Sequence, residues 1–203
     1  MRNRHLSAAQ VFRIALLSQA ALLLLALAGL WLTGVELPAV RGSEVVWILM
    51  GALAALATYA LAFFLTRLPG ALGSALRQLC ELLQPLFAGC SWGQIAVLAL
   101  AAGICEELFF RVFLQNWLME VAGPWWGLFA AAVVFALLHG ASLLYFSITL
   151  MMGLLLGWCY WATGSAMGVM VWHALYDLLA IGLLARYPHL LGIQRHTGKR
   201  QIS

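Results

Sequence analysis

The sequence predicts an all-α, polytopic integral membrane protein, a bundle of about six transmembrane helices with one interfacial amphipathic helix. Of its 203 residues, 65% are hydrophobic and 9% are charged. Soluble domains average about 45–50% apolar and about 25% charged residues. The apolar residues form long runs, and a helix needs roughly 20 of them to cross the bilayer. This composition excludes a soluble globular domain and a disordered chain.

The charge and the cysteines exclude two further classes of protein. The net charge is +4, but there are only 11 Lys and Arg residues and most lie near the two ends of the chain. This distribution does not indicate nucleic-acid binding. The four cysteines are sparse and include no CxxC pair, so they do not indicate a disulfide scaffold. We expect Cys80, Cys90, Cys105 and Cys159 to be packed free thiols.

Residues 1–70 are predicted to form two transmembrane helices, over 14–32 and 45–65, joined by a short loop at 34–43. The first run follows a basic start, as in a signal peptide, and Ala26–Leu27–Ala28 resembles a cleavage site. Its apolar core is longer than that of a signal peptide. We therefore expect a retained helix.

Residues 71–93 are predicted to form an interfacial amphipathic helix and a loop. Leucines recur at positions 72, 76, 79 and 83, while Arg77 and Glu81 lie elsewhere on the helical wheel. A helix with one apolar and one charged face lies in the membrane interface rather than across the bilayer. Pro85 and the glycines that follow it are expected to end this helix.

Residues 94–185 are predicted to form a four-helix core, and 186–203 a basic cytoplasmic tail. The four apolar runs are 94–118, 126–139, 145–163 and 167–185. With six spans and a cytoplasmic N-terminus, nine basic residues lie inside and only Arg41 lies outside. Cytoplasmic loops are rich in Lys and Arg. Both termini are therefore expected in the cytoplasm.

Six ionisable residues lie within the predicted core spans and mark a candidate functional site. They are Glu106, Glu107, Arg111, His139, His173 and Asp177. A charged side chain at the bilayer centre costs at least about 2.5–3.5 kcal/mol, and such residues are functional candidates by default. The cost falls if the six converge on one another.

The spacing of these residues is compatible with convergence. Glu107 and Arg111 are four residues apart, so they share a helix face and can pair. Glu106 lies about 100° around the same helix and can meet a different partner. His173 and Asp177 are also four residues apart, so the carboxylate can hold the imidazole in one tautomer. Together with His139 they supply the groups that activate water.

Three motifs in this region resemble one known family. Residues 106–111, EELFFR, resemble EExxxR; residues 135–139, FALLH, resemble FxxxH; residues 173–177, HALYD, resemble HxxxN/D. This ordered set is similar to the signature of the CPBP family of CAAX proteases and bacteriocin-processing enzymes. The resemblance covers roughly the C-terminal half of the chain. It implies an intramembrane endopeptidase that hydrolyses a membrane-associated protein or peptide.

The resemblance also implies roles for these residues. Glu106 is the expected general base that activates water, and His139 is expected to hold that water. His173 and the residue at 177 are expected to stabilise the oxyanion, while Glu107 and Arg111 brace the site. Many eukaryotic members carry Asn where this chain has Asp177. A carboxylate donates a hydrogen bond only when protonated, so Asp177 is expected to orient or charge His173 instead.

Several alternatives stay open at the level of sequence. Glu106, His139, His173 and Asp177 could also bind Zn²⁺ with one position left for water, although a metal-independent site is preferred. A proton-coupled transporter or channel would use the same groups as a relay, and a haem protein would use the two histidines as axial ligands. The expected partners are the lipid bilayer and a protein or peptide substrate, lipid-anchored or with a C-terminal sorting segment.

The expected location is a bacterial inner membrane, because the short chain without extra domains resembles bacterial members of the family. The depth of the site poses a conflict. Glu106 and Asp177 fall near the middle of their predicted spans, whereas His139 falls near the cytoplasmic end of a short one. Either the predicted helix ends are displaced, or a cavity open to the cytoplasm brings water to Glu106.

Overall fold

The computed structural model describes residues 7–193, and this part of the chain is helical with no strands. Ser7 caps the first helix through its side chain, and Ser91 caps the fourth in the same way. The α-helices are α1 Ala8–Thr33, α2 Glu44–Arg67, α3 Ala71–Phe87, α4 Trp92–Glu107, α5 Asn116–Ala122, α6 Pro124–Leu138, α7 Leu143–Thr163 and α8 Ala166–Arg186. A π-helical segment, Leu108–Gln115, joins α4 to α5, and a 3₁₀ turn, Pro188–Leu191, follows α8.

Four helices in this part of the chain are long and apolar enough to cross a membrane: α1, α2, α7 and α8. Their bounds lie close to the apolar runs in the sequence. A long apolar run indicates a transmembrane helix by its composition alone, whatever the helix packs against. An all-helical, membrane-spanning architecture is thus confirmed. The protein is an integral membrane protein.

The remaining two predicted spans have a different form. The run at 94–118 lies in a continuous helical stretch whose α-helical part ends at Glu107, where the π-helical segment begins. α6 has 15 residues, which corresponds to about 22 Å, whereas the hydrocarbon core is about 30 Å thick. The count of six transmembrane helices therefore stays a prediction.

The amphipathic helix is longer than the sequence predicted. α3 continues to Phe87 with Pro85 inside it, so the prediction that Pro85 ends the helix was wrong. A proline in the last turn removes only one backbone donor, and the Ala88 N–H still bonds the Gln84 carbonyl at 3.0 Å. The leucine face of α3 lines an internal cavity, together with residues of α2, α7 and α8.

The chain after α8 packs against the bundle before it leaves the described residues. Leu191 and Ile193 are buried with Leu184 of α8, and Leu83 of α3 contacts this cluster. The predicted basic tail begins at 186, so its first residues are packed in this way. Its remaining part, 194–203, lies outside the described residues.

One end of the bundle carries a cluster of tryptophans. Trp125 at the start of α6 stacks on Trp158 of α7, with 5.8 Å between ring centroids, and meets Trp161 edge to face. The loop between α1 and α2 reaches the same end, where the Arg41 N–H donates to the Thr163 carbonyl at 2.7 Å. Tryptophan is enriched at membrane–water interfaces, so this end fits one face of the bilayer.

α8 packs against both α2 and α4 through close backbone approaches. A Cβ atom at Gly51 of α2 would overlap the Gly168 carbonyl of α8. A Cβ at Gly103 of α4 would lie 2.7 Å from the Ala174 Cβ, far inside van der Waals contact. Small residues let membrane helices approach this closely. The α4–α8 contact lies one turn before Glu106, so it brings the glutamates of α4 next to His173.

The orientation in the membrane is testable with reporter fusions. We expect a reporter inserted at 34–43 to report an external position, and one placed at 68–70 or at the C-terminus to report a cytoplasmic position. The reason is the excess of Lys and Arg on the predicted inner side. Alkaline phosphatase, which is active only outside the cytoplasm, and green fluorescent protein provide the two readouts. Phosphatase activity at the C-terminal fusion would contradict the predicted topology.

Candidate active site

The six ionisable residues singled out from the sequence lie together in the structure. Glu106 and Glu107 end α4, and Arg111 lies one turn later in the π-helical segment. His139 follows α6, and α8 carries both His173 and Asp177. π-helical turns occur frequently at functional sites. Three separate parts of the chain thus contribute to one cluster.

Glu106 lies at the centre of this cluster. Its Oε1 accepts a 2.6 Å hydrogen bond from Gln19 Nε2 of α1. Its Oε2 lies 3.9 Å from His139 Nε2 and 3.9 Å from His173 Nε2. This second oxygen is buried and accepts no hydrogen bond from residues 7–193. One carboxylate oxygen is therefore held, and the other faces two imidazoles with an acceptor position free.

His139 has its tautomer set by the backbone. Its Nδ1 lies 2.8 Å from the carbonyl oxygen of Phe135, and a carbonyl only accepts, so Nδ1 carries the hydrogen and donates it. In the neutral ring Nε2 is then an acceptor directed toward Glu106. Because α6 ends at Leu138, His139 lies at the same level of the bundle as Glu106, with 3.9 Å between Nε2 and Oε2.

His173 is oriented by a residue other than the expected one. Its Nδ1 donates to Glu107 Oε1 at 2.8 Å, whereas Asp177 Oδ2 lies 3.6 Å from Nε2. Asp177 was expected from the sequence to orient or charge His173. The structure places Glu107 at the nitrogen that orients the ring, whereas Asp177 lies near the nitrogen directed toward Glu106, where its carboxylate can still stabilise a positive charge. Glu107 reaches His173 because α4 and α8 approach closely at Gly103.

Arg111 supports the cluster from within the bundle. Its Nε lies 3.1 Å from Glu107 Oε2, and both side chains are fully buried. The guanidinium also lies over the Phe135 ring, 5.0 Å from its centroid, which is a cation–π contact. The predicted pairing of Glu107 with Arg111 is confirmed. Phe135 thus contacts Arg111 and also His139, so the two residues of FxxxH touch each other.

A cavity of about 530 Å³ opens next to this cluster. Side chains from α1, α2, α3, α4, α6, α7 and α8 line it, and most of them are apolar. Glu106, His139, His173 and Asp177 contribute polar groups to its wall. The protein therefore has a largely apolar chamber with the polar groups of the cluster in one part of its wall.

Two residues near Glu106 were not predicted from the sequence. Gln19 lies in the first apolar run, and its hydrogen bond to Glu106 joins residues 87 positions apart. Tyr145 of α7 lines the cavity, and its ring meets the imidazole of His139 edge to face at 6.0 Å. A polar amide within an otherwise apolar run was the available signal for Gln19. Tyrosine is common near membrane interfaces, so Tyr145 gave no signal.

The spacing of the cluster bears on the metal alternative. Among residues 7–193, no three or more His, Cys, Asp or Glu side chains are arranged to hold a metal ion. The separations from Glu106 Oε2 to each imidazole Nε2 are 3.9 Å. Neighbouring ligands of a tetrahedral Zn²⁺ are only about 3.4 Å apart, given metal–ligand distances of about 2.1 Å. The metal-independent site stays a prediction, and Glu106, His139, His173 and Asp177 are the residues that would hold an ion.

All four cysteines are free thiols, as expected. Cys105 is buried, and it directly precedes Glu106 in α4. Successive residues of a helix point about 100° apart, so this neighbour in sequence does not share the direction of Glu106.

The comparisons with known proteins concern the same part of the chain. Residues 88–179 match the family model described as type II CAAX prenyl endopeptidase, Rce1-like. No curated protein matches the chain significantly, and no solved structure does so either. All six ionisable site residues lie within the matched segment, and Gln19 lies outside it. The family suggested by the three motifs is therefore confirmed: through residues 88–179, this membrane protein matches the Rce1-like family of type II CAAX prenyl endopeptidases.

Proposed function

We propose that this protein is an intramembrane endopeptidase in which Glu106 activates water to hydrolyse a peptide bond of a membrane-associated substrate. The observation that carries the proposal is the free Oε2 of Glu106, buried in an apolar cavity and facing His139 Nε2 and His173 Nε2 at equal distances of 3.9 Å. A buried carboxylate with an unused acceptor is suited to take a proton from water.

In the proposed mechanism, water lies between Glu106 Oε2 and His139 Nε2. Glu106 takes one proton while Nε2 accepts a hydrogen bond from the other, and the water oxygen attacks the carbonyl carbon of the peptide bond. The bond between carbon and nitrogen then breaks, and Glu106 returns its proton to the leaving amine. The products are a carboxylic acid and an amine, and Glu106 is again ionised.

His173 is the proposed donor to the oxyanion of the tetrahedral intermediate. Glu107 holds its Nδ1, so Nε2 is directed toward the reacting centre, and an imidazolium donates from that atom. The carboxylate of Asp177, 3.6 Å from Nε2, attracts that positive charge. Donors fixed in advance where negative charge develops usually make the largest contribution to catalysis.

The family match gives no support to the transporter and haem alternatives. The proposed location is a bacterial inner membrane with both termini in the cytoplasm. The proposed substrate class is a membrane-associated protein or peptide.

The proposal is tested with purified protein in liposomes. The probe is an internally quenched fluorescent peptide that ends in a prenylated CAAX sequence, and a second probe lacks the prenyl group. We expect cleavage at one internal peptide bond, located by mass spectrometry, and a requirement for Glu106. Stronger cleavage of the prenylated probe assigns the lipid to substrate recognition. Failure of a folded protein to cleave either probe would contradict the proposal.

The proposal also predicts that activity does not depend on a metal. We expect protein treated with chelator and then freed of chelator by gel filtration to retain its rate, because Glu106 and His139 hold the water without a metal ion. Elemental analysis of the same sample checks that metals were removed. Loss of activity that Zn²⁺ restores would assign Glu106, His139, His173 and Asp177 to a metal site instead.

A further inference from the structure

The N-terminal helix contributes a side chain to the active site. Gln19 of α1 makes the one hydrogen bond that the Glu106 side chain forms within residues 7–193, at 2.6 Å. α1 lies outside the segment that matches the family, and most of its surface is exposed for contact with lipid. The bond therefore links a peripheral helix to the proposed catalytic base.

A packing role does not explain the amide of Gln19. Its Oε1 is buried and has no hydrogen-bond partner in the described part of the chain, which costs free energy in an apolar environment. A leucine would fill the same space without that cost. The adjacent Ser18, by contrast, bonds the carbonyl of Ala15 in its own helix at 2.7 Å. The bond to Glu106 is thus the one favourable interaction that distinguishes Gln19 from an apolar residue.

This bond sets the orientation of the Glu106 carboxylate, and with it the direction of the oxygen that has no partner. The terminal torsion of a glutamate is soft, with broad, roughly two-fold preferences, so a carboxylate without a partner rotates easily. Gln19 Nε2 holds Oε1 on the α1 side. The other oxygen, Oε2, then remains 3.9 Å from both His139 and His173.

We propose that Gln19 is a positioning residue that locks the Glu106 carboxylate with Oε2 directed at the water site, so that α1 is a required part of the active site. This inference rests on the proposed function, since it acts through Glu106 as the base. Small displacements of a catalytic group cost up to about 10²-fold in rate. The bond to Gln19 is therefore expected to act on turnover more than on substrate binding.

The first test replaces Gln19 by Leu in the full chain, assayed in liposomes with whichever fluorescent CAAX probe the wild type cleaves. We expect kcat to fall about 10–100-fold, with KM and the melting temperature little changed. Gln19→Met, which keeps the unbranched shape, should behave in the same way. Ser18→Ala is the matched control on the same helix and should keep the wild-type rate.

The second test combines Gln19→Leu with Glu106→Gln. A residue that acts through Glu106 has little left to position in that background, so the double variant should be no slower than Glu106→Gln alone. Contacting residues of one unit show such non-additivity. A further 10–100-fold loss in the double variant would overturn the inference, as would a wild-type kcat for both Gln19→Leu and Gln19→Met.

The two tests separate the inference from the proposed function. If Glu106→Gln keeps near-normal turnover, the proposed function fails. If Glu106→Gln is inactive while both Gln19 variants turn over normally, only the role of Gln19 fails. A Gln19→Leu protein that melts at lower temperature, but turns over normally per folded molecule, also overturns the positioning role because the effect is then structural.

Discussion

Replacing Glu106 by Gln is expected to lower kcat by at least about 10²–10⁴-fold, the usual contribution of a general base. Glutamine keeps the shape of the side chain but cannot take a proton from water. Gln19 can still donate to the amide oxygen, so the contact with α1 is retained. An amide is also less costly to bury than an ionised carboxylate. The variant should therefore fold with a melting temperature close to that of the wild type.

The measurement is kcat on the fluorescent CAAX probe beside the melting temperature of each purified variant. Glu81→Gln is a matched control, because Glu81 is an exposed residue of α3 outside the cavity wall. It should keep the wild-type rate. Near-normal turnover by Glu106→Gln would show that Glu106 is not the base and would make its neighbour Glu107 the candidate.

Replacing Glu107 by Gln is expected to reduce stability more than chemistry. The change leaves Arg111, which is fully buried, without the carboxylate 3.1 Å from its Nε. Breaking a buried ion pair in this way costs about 3–5 kcal/mol. The melting temperature and the yield in detergent should both fall. The loss of turnover per folded molecule should be smaller than for Glu106→Gln, because a glutamine oxygen can still accept from His173 Nδ1.

A second substitution checks the cause of this instability. Combining Glu107→Gln with Arg111→Met removes the stranded cation and leaves an apolar side chain among Phe110 and Phe135, whose rings now contact the guanidinium. The double variant should recover part of the lost stability. If Glu107→Gln abolishes turnover at an unchanged melting temperature, Glu107 is the base and Glu106 the structural member.

The two variants together test whether the adjacent glutamates have different roles, one catalytic and one structural. Glu106 faces the cavity with one unpartnered oxygen, whereas Glu107 is fully enclosed between Arg111 and His173. Neighbours on a helix differ by about 100° in direction, so the pair can serve two different partners. This is the physical basis for expecting opposite responses to the same chemical change.

The sequence by itself determined the class of the protein and the six ionisable residues of its candidate site. Long apolar runs specify membrane helices through local composition, and α2, α7 and α8 begin and end close to the runs read from the sequence. The insertion cost of charged groups predicted that the six ionisable residues converge. Helical spacing also predicted the contact between Glu107 and Arg111, because residues four apart on one helix need no other element to meet.

Only the tertiary structure decided which groups meet across helices. The sequence predicted that Asp177 orients or charges His173, but the close approach of α4 and α8 at Gly103 places Glu107 at the nitrogen that orients the ring. Gln19 reaches Glu106 from 87 residues away, and no periodicity reports such a contact. Spacing along one helix follows from its 3.6-residue turn, whereas contacts between helices depend on how each is rotated and how closely the backbones approach. That information resides in the packing of the whole bundle.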